Sequence, residues 1–223
     1  MSKAPIEKTG IPAQIRAFYD RVGSWLDTQR FYEGPAIDEL FAHADFGHAR
    51  FVYEFGCGTG RLAERILAAN DHITYQAVDI SSAMVRLTRK RLHRFGRRAS
   101  VTLSDGAPQI ASPDHSLDRF VSTYVFDLLA AEDIAAVLNE SHRVLSGNGL
   151  LCLVSLTRGT RGISRLISNV WLGLHNINPM LVGGCRPIEL LDFFEDRTWR
   201  PRHIERISRF GMTSEVIVAE ILP

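Results

Sequence analysis

The hydrophobic and polar positions of the chain follow two periods, and their order along the sequence predicts an α/β fold. Short apolar runs recur, and several are separated by stretches with an apolar residue every three or four positions. The runs that predict strands are 52–54, 73–78, 100–104, 117–124 and 150–155, and predicted helices begin at Arg61, Ser82 and Glu132. Strands that alternate with helices in this way are typical of a doubly wound, mostly parallel sheet.

Both ends of the chain add elements to this series. Residues 10–47 predict two amphipathic helices, the first with apolar positions from Ile11 to Leu26. Segments 202–207 and 214–220 alternate apolar and polar residues on either side of Gly211, which predicts an antiparallel hairpin. We therefore expect a seven-stranded sheet that ends in an antiparallel pair.

The segment from Thr157 to Asp196 follows the last predicted parallel strand and is rich in large apolar residues. Its pattern predicts a helix through Leu174, a break at 176–179, and a second helix from Pro187 to Phe194. A turn is also predicted at 146–149, before the fifth strand. We interpret the apolar segment as a helical lid over an acceptor pocket, with a dimer face or a lipid-contacting surface as alternatives.

The turn after the first strand holds the candidate chemistry. Gly56, Gly58 and Gly60 follow Glu54 on alternate positions, and a helix begins directly after them. Glycines at a strand-to-helix turn let the backbone approach a nucleotide-type cofactor. A dinucleotide fingerprint requires glycine or alanine at position 61, where this chain has Arg61.

The acid-x-G-x-G-x-G pattern resembles motif I of the class I S-adenosylmethionine-dependent methyltransferases. The string Val78-Asp79-Ile80-Ser81-Ser82-Ala83-Met84 is similar to the second signature of that family, and 142–150 is similar to its R-V-L-x-P-G-G segment, with Ser146 in place of proline. The resemblance covers residues 50–157 with motifs in order. The similar proteins are small bacterial enzymes of the type that methylate quinone precursors or phospholipid amines.

The resemblance implies S-adenosyl-L-methionine as the cofactor and S-adenosyl-L-homocysteine as its product. It implies that Asp79 accepts hydrogen bonds from the ribose, that Ile80 and Met84 pack on the adenine, and that Asp105 receives the adenine amino group. An Asx turn closed by Gly106 is the alternative for Asp105. The cofactor-binding residues predicted in this way are Tyr19, Glu54, Gly56, Cys57, Gly58, Gly60, Asp79, Ile80, Met84, Asp105, Gly106, Tyr124 and Val125.

Methyl transfer from a sulfonium needs mainly alignment and exclusion of water, and needs a base only when the acceptor must lose a proton. In the similar enzymes a Tyr-Asp pair in the first helix lies over the methionine end of the cofactor, and Tyr19-Asp20 matches it. The predicted catalytic residues are Tyr19, Tyr124 and His175, with Asp127 as a further candidate base. Packing in the core or at the surface is the alternative for each of them.

Composition limits the partners. The net charge of +1 gives no overall field for nucleic acid, and the basic run from Arg86 to Arg98 is interpreted as a solvated helix face. The three cysteines lack metal-binding spacing, so we expect reduced thiols, a cytoplasmic location and no metal site. No apolar leader or membrane-spanning stretch is apparent, and contact with a membrane surface is left open.

These patterns predict one methyltransferase domain over residues 1–223. It consists of an N-terminal helical cap (1–47), a cofactor-binding core (48–157), a helical lid (158–197) and a C-terminal hairpin (198–223). The expected activity is methyl transfer to a small apolar or aromatic molecule. The alternative is a peripheral-membrane enzyme that methylates a lipid head-group amine or a prenylated quinone precursor. We expect a monomer or homodimer.

Overall fold

A computed structural model describes residues 13–22, 30–160, 162–194 and 198–222, and these residues form one seven-stranded sheet with helices on both faces. The strand order is β3-β2-β1-β4-β5-β7-β6. The strands are β1 Phe51–Phe55, β2 Thr74–Asp79, β3 Ala99–Leu103, β4 Leu117–Thr123, β5 Leu145–Thr157, β6 Trp199–Arg209 and β7 Met212–Ile221. Strands β1 to β5 are parallel, and β7 is antiparallel to both β5 and β6. The predicted doubly wound sheet with a C-terminal antiparallel hairpin is confirmed.

Six α-helices are described around this sheet. They are α1 Ala13–Val22, α2 Arg30–His43, α3 Arg61–Ala69, α4 Ser82–Leu92, α5 Ala131–Val144 and α6 Gly162–Ile177. The two predicted N-terminal helices correspond to α1 and α2, and the predicted helical positions at 11–12 and 23–26 lie outside the described residues. The division into cap, core, lid and hairpin stays a prediction.

The two faces of the sheet pack into separate hydrophobic layers because successive side chains of a strand point to opposite faces. One layer joins α2, α3 and α4 to residues such as Val52, Tyr75 and Val121. The other joins α5 and the segment around Leu190 to residues such as Phe120. With both faces covered, the polar carboxyl ends of the parallel strands form the edge at which a ligand site is expected.

The predicted turn at 146–149 is wrong, because strand β5 already begins at Leu145, which pairs with Leu117. The register shifts between Leu117 and Arg119, so a bulge absorbs the polar residues that suggested a turn. The bulge leaves little room for a side chain at Gly149. A Cβ atom there would lie 3.1 Å from the Leu117 carbonyl oxygen, which is a tight contact.

The predicted helix from Pro187 to Phe194 is also wrong. Only a 3-10 turn, Leu190–Phe193, forms there. The backbone N–H of Ile188 donates to the Leu156 carbonyl at 3.0 Å, and the N–H of Leu190 donates to Glu215 Oε2 at 3.0 Å. Hydrogen bonds to β5 and β7 therefore replace the bonds that a helix would make within itself.

The basic run after Asp79 is only partly a solvated face. Arg89 donates two hydrogen bonds to the Val101 carbonyl, at 3.0 and 2.7 Å, and Arg98 donates to the Asn70 carbonyl at 2.8 Å. Arg94 pairs with Glu64 at 3.2 Å. These contacts tie α4 and the 3-10 helix His93–Arg98 to β3 and α3, so several of these charges have a structural function.

Candidate functional site

The turn after β1 is shaped by its three glycines. Gly56, Gly58 and Gly60 have φ angles of +80°, +49° and +77°, which L side chains rarely adopt. A Cβ atom at Gly56 would lie 2.3 Å from Val125, and one at Gly60 would lie 2.6 Å from the Thr88 side chain. A Cβ atom at Gly58 would meet no described atom within 4 Å. Packing therefore requires the outer two glycines, whereas Gly58 borders open space that a ligand can fill.

Asp79, at the end of β2, holds this turn in place. One carboxylate oxygen accepts the Gly58 N–H at 2.8 Å, and the other accepts the Ser81 N–H at 2.8 Å. Burial raises the pKa of Asp79 to about 6, although these two N–H donors favour the ionised form. A carboxylate that accepts two amide hydrogen bonds still has lone pairs that can accept hydrogen bonds from the hydroxyl groups of a ligand. The position of Asp79 therefore fits the predicted hydrogen bonds to a ribose.

A cleft of about 1090 Å³ opens at the carboxyl ends of the strands, in front of the glycine turn. This volume lies at the upper limit of the ~300–1,000 Å³ of typical small-molecule sites. The cleft therefore has room for a nucleoside cofactor and a second molecule. The predicted site residues that line it are Tyr19, Glu54, Gly56, Cys57, Gly58, Asp79, Ile80, Met84, Gly106, Tyr124 and Val125.

Three predicted site residues do not line the cleft. Gly60 packs against Thr88 behind the turn. Asp105 is exposed, and its Oδ1 accepts the Ala107 N–H at 2.9 Å in the Asx turn that the sequence left as an alternative. His175 lies half-buried on α6, outside the lining. The adenine contact of Asp105 and the catalytic role of His175 stay predictions without support from their positions.

Glu54 is buried at the inner wall of the cleft. Its Oε2 accepts a hydrogen bond from the Tyr75 hydroxyl at 2.9 Å. Burial raises the pKa of Glu54 to about 8, and the Tyr75 bond only partly offsets this effect. The carboxyl group is therefore mostly neutral at pH 7, and a cationic ligand in the cleft would favour its ionised form.

Aromatic side chains gather at the other end of the cleft. The rings of Tyr32 and Tyr124 meet edge to face with centroids 6.1 Å apart, and the Tyr124 hydroxyl bonds Ser214 Oγ at 2.8 Å. The Tyr19 hydroxyl lies 3.8 Å from Cys185 Sγ. Burial raises the pKa of Tyr19, with a smaller contribution from Cys185, so this phenol stays protonated. Aromatic walls of this kind suit an apolar or aromatic ligand.

Asp127 lies behind this aromatic end and is fully buried. Its Oδ2 accepts the Leu156 N–H at 3.2 Å, and its Oδ1 has no hydrogen-bond partner among the described residues. Burial raises the pKa of Asp127 to about 7. The sequence suggested this residue only as a candidate base, and neither its burial nor its unpaired oxygen follows from any local pattern.

Asp20 follows Tyr19 on α1, and the sequence predicted that both would lie over the methionine end of the cofactor. Asp20 does not lie at the aromatic end. Its Oδ1 accepts the Ser81 hydroxyl at 2.7 Å and the Ala83 N–H at 3.2 Å. The pKa of Asp20 is lowered, chiefly by the Ser81 hydrogen bond. This carboxylate therefore caps the N-terminus of α4, where a negative charge is stabilised.

Among the described residues, Glu39, His43 and His203 form the one cluster with metal-ligand spacing. Glu39 Oε1 lies 3.3 Å from His43 Nδ1 and 3.0 Å from His203 Nε2. The two imidazole rings are stacked 3.6 Å apart with planes at 4°. The lone pair of an imidazole nitrogen lies in the plane of its ring. Because the two rings are parallel, the lone pairs of His43 and His203 do not point at a common ion. We interpret the cluster as a polar contact between α2 and β6, and the predicted absence of a metal site stays a prediction.

Comparison with known proteins shows that this chain is similar to methyltransferases. The model of the family described as "Methyltransferase domain" matches residues 53–151. The malonyl-(acyl-carrier protein) O-methyltransferase of Laribacter hongkongensis is 29% identical over 152 residues, which cover 65% of this chain and 50% of that protein. The chain spans about half or less of the length of the curated relatives it matches.

Solved structures show the same fold at low sequence identity. Geranyl diphosphate C-methyltransferase from Streptomyces coelicolor, solved with Mg²⁺, geranyl-S-thiolodiphosphate and S-adenosyl-L-homocysteine, has a TM-score of 0.66 and 13% identity, and the match covers 86% of this chain and 76% of that one. The (4+2)-cyclase SpnF has a TM-score of 0.64 and 15% identity, with 83% and 80% covered. The fold alone therefore does not decide the reaction.

Proposed function

We propose that this chain is a class I S-adenosylmethionine-dependent methyltransferase and that it transfers a methyl group from S-adenosyl-L-methionine to a small apolar or aromatic molecule. The observation that carries the proposal is the continuity of the cleft. Its lining includes both the glycine turn with Asp79 and the aromatic side chains Tyr19 and Tyr124. Two ligands of different character can therefore meet within one cleft.

The residues around the glycine turn suit the cofactor. Asp79 would bind the ribose hydroxyls, Ile80 and Met84 would contact the adenine, and Glu54 would face the polar methionine end. The open space beside Gly58 supports this assignment, because the backbone at that point leaves room for a ligand. When bound, the sulfonium supplies an electrophilic methyl group whose loss leaves a neutral thioether.

The residues at the aromatic end would position the acceptor. Tyr19 and Tyr124 line the cleft, and both phenols are held protonated by burial. Each can donate a hydrogen bond but is a poor base at neutral pH. Asp127 has a pKa of about 7, but it is fully buried and does not line the cleft, so it would not take a proton directly from an acceptor bound there.

The activity is tested by supplying methyl-labelled cofactor with panels of phenols, hydroquinones, amines and thiols, and by measuring S-adenosyl-L-homocysteine together with labelled product. We expect turnover with at least one aromatic acceptor. Tyr19→Phe should bind the cofactor normally and lower turnover about tenfold or more, since a positioning hydrogen bond is lost. Tyr53→Phe is the matched control, because Tyr53 is a buried core tyrosine that does not line the cleft. Failure of the purified chain to bind either form of the cofactor in calorimetry would remove the basis of the proposal.

A lipid head-group amine or a prenylated quinone precursor is a second candidate acceptor. The observation that favours it is the exposure of large apolar side chains along α6, beside the aromatic end of the cleft. Phospholipid and prenylquinol acceptors in detergent micelles belong in the same panel, and turnover restricted to them would favour this candidate over a freely diffusing acceptor.

A further inference from the structure

Helix α6 exposes a continuous apolar stripe. Its members are Ile163, Leu166, Val170, Leu174 and Ile177, and the two ends of the stripe are 73% and 79% exposed. Their spacing of 3, 4, 4 and 3 residues places them within an arc of roughly 80° at the 100° per residue of an α-helix. Leu181 and Phe210, the latter 74% exposed, are two further exposed apolar side chains, from the segment after α6 and from the β6–β7 turn.

Packing of α6 on the protein uses little of this stripe, although Ile163 lies near the β6–β7 turn, 3.6 Å from where a Cβ atom at Gly211 would be. The contact is made by the adjacent face, where Trp171 Nε1 donates to the Cys185 carbonyl at 2.9 Å and the Ser168 hydroxyl accepts the Gly159 N–H at 2.9 Å. Ile167 lies so close to the β6–β7 turn that a Cβ atom at Gly211 would overlap it. The helix is thus held by one face, and the outer stripe is available to something else.

The sequence segment that contains the stripe carries charge of one sign. Between Thr157 and Ile188 the sequence has four arginines and no aspartate or glutamate. Arg158 and Arg165 are exposed near the start of α6, and Arg209 is exposed beside Phe210. An apolar helix face accompanied by arginines is typical of helices that lie in the interface of an anionic bilayer. No helix in the described part of the chain is long and apolar enough to cross a bilayer.

We propose that α6, Leu181 and Phe210 form a docking surface for an anionic lipid bilayer, with α6 lying in the plane of the interface. Lipid is favoured over a second copy of the chain because anionic head groups would pair with the arginines, whereas a twofold contact through this stripe would bring arginines of like charge together. The neighbouring face of α6 reaches the cleft through Trp171, Cys185 and Tyr19. If the proposed function holds, docking would therefore bring the acceptor end of the cleft to the membrane surface.

The test is co-sedimentation of the purified chain with phosphatidylcholine vesicles, with and without phosphatidylglycerol, in the absence of cofactor and acceptor. We expect binding that requires phosphatidylglycerol and weakens with salt. The double variant Leu166→Ser/Val170→Ser should lose at least tenfold in the bound-to-free ratio, and Arg165→Glu should weaken binding to the anionic vesicles. Ile204→Ser is the matched control, because Ile204 is also exposed but lies on β6, and it should bind as the unmodified chain does.

Two results would overturn the proposal. One is that the same fraction of the chain sediments with phosphatidylglycerol-containing vesicles as without any vesicles. The other is a dimer in light scattering that the double variant dissociates, which would assign the stripe to a second copy. Since neither measurement involves the cofactor, failure here leaves the proposed methyl transfer untouched, and absence of methyl transfer leaves the docking result untouched.

Discussion

In the turn after β1, glycine can be needed for packing of the fold or for space next to a bound ligand. Gly58→Ala tests the second of these needs separately from the first. The φ of +49° makes an L side chain strained, but its Cβ atom would meet no described neighbour within 4 Å. At Gly56, by contrast, the Cβ atom would lie 2.3 Å from Val125. Gly58→Ala should therefore leave the fold intact and act on the ligand, whereas Gly56→Ala should act on the fold.

The magnitudes follow from these positions. Placing an alanine in the left-handed backbone conformation of Gly58 lowers the free energy of unfolding by about 1–2 kcal/mol. Alanine also reduces the conformational entropy of the unfolded chain, which offsets about 0.4–1 kcal/mol of this loss. The net loss of about 1 kcal/mol lowers Tm by roughly 2–4 °C for a domain of this size. In the complex the methyl group would occupy space that the cofactor needs. Overpacking of about 1–3 kcal/mol corresponds to a loss of affinity of about five- to 150-fold.

The assay is calorimetric titration with S-adenosyl-L-methionine and S-adenosyl-L-homocysteine, together with thermal denaturation. Gly162→Ala is the matched control: its φ is +51°, its Cβ atom would also meet no described neighbour within 4 Å, and it lies outside the cleft. It should lose similar stability and keep full affinity. Equal affinities of the unmodified chain and Gly58→Ala would refute the placement of the cofactor beside this residue.

Two further predictions concern the buried carboxyl groups. Cofactor affinity, measured by calorimetry, should fall as the pH decreases through about 6, because protonation of Asp79 removes an acceptor. Asp79→Asn should bind weakly at pH 7 and should lack this fall near pH 6, while any pH dependence due to Glu54 is retained. A pH-independent affinity of the unmodified chain would contradict the ribose contact. The raised pKa of Asp127 means that its neutral form is favoured on folding, so the free energy of unfolding should fall as the pH rises from about 4 to about 7, by a loss on the order of 4 kcal/mol. Asp127→Asn should remove the share of the loss that Asp127 contributes, while the shares of Glu54 and Asp79 remain. The variant should therefore raise Tm at pH 8 but not at pH 4, and equal Tm shifts at both pH values would show that the Asp127 carboxyl group does not have a raised pKa in the folded chain.

Features encoded by local spacing were predictable from the sequence. The strands, the glycine turn and Asp79 lie within about thirty consecutive residues or follow periodic patterns, and each needs only its neighbours to be recognised. The wrong turn at 146–149 and the wrong helix after Pro187 have a common cause. Both segments give their backbone hydrogen bonds to partners distant in sequence, which no local propensity records.

The parts of the site that join distant segments were harder to predict. Cys185 meets Tyr19 across 166 positions, and Asp20 meets Ser81 across 61. The helical period of α6 was evident, but a period does not say which face the protein covers. Its large apolar residues suggested an enclosed lid, and most of them are exposed instead.

Tyr19 and Asp20 are consecutive residues of α1, yet their side chains contact different parts of the protein. Asp20 holds the loop that follows Asp79, and Tyr19 contacts Cys185 beside the acceptor end. A ligand that orders that loop would also fix the phenol before any acceptor arrives. An enzyme with this arrangement should show compulsory-order kinetics, with the nucleoside adding first and leaving last.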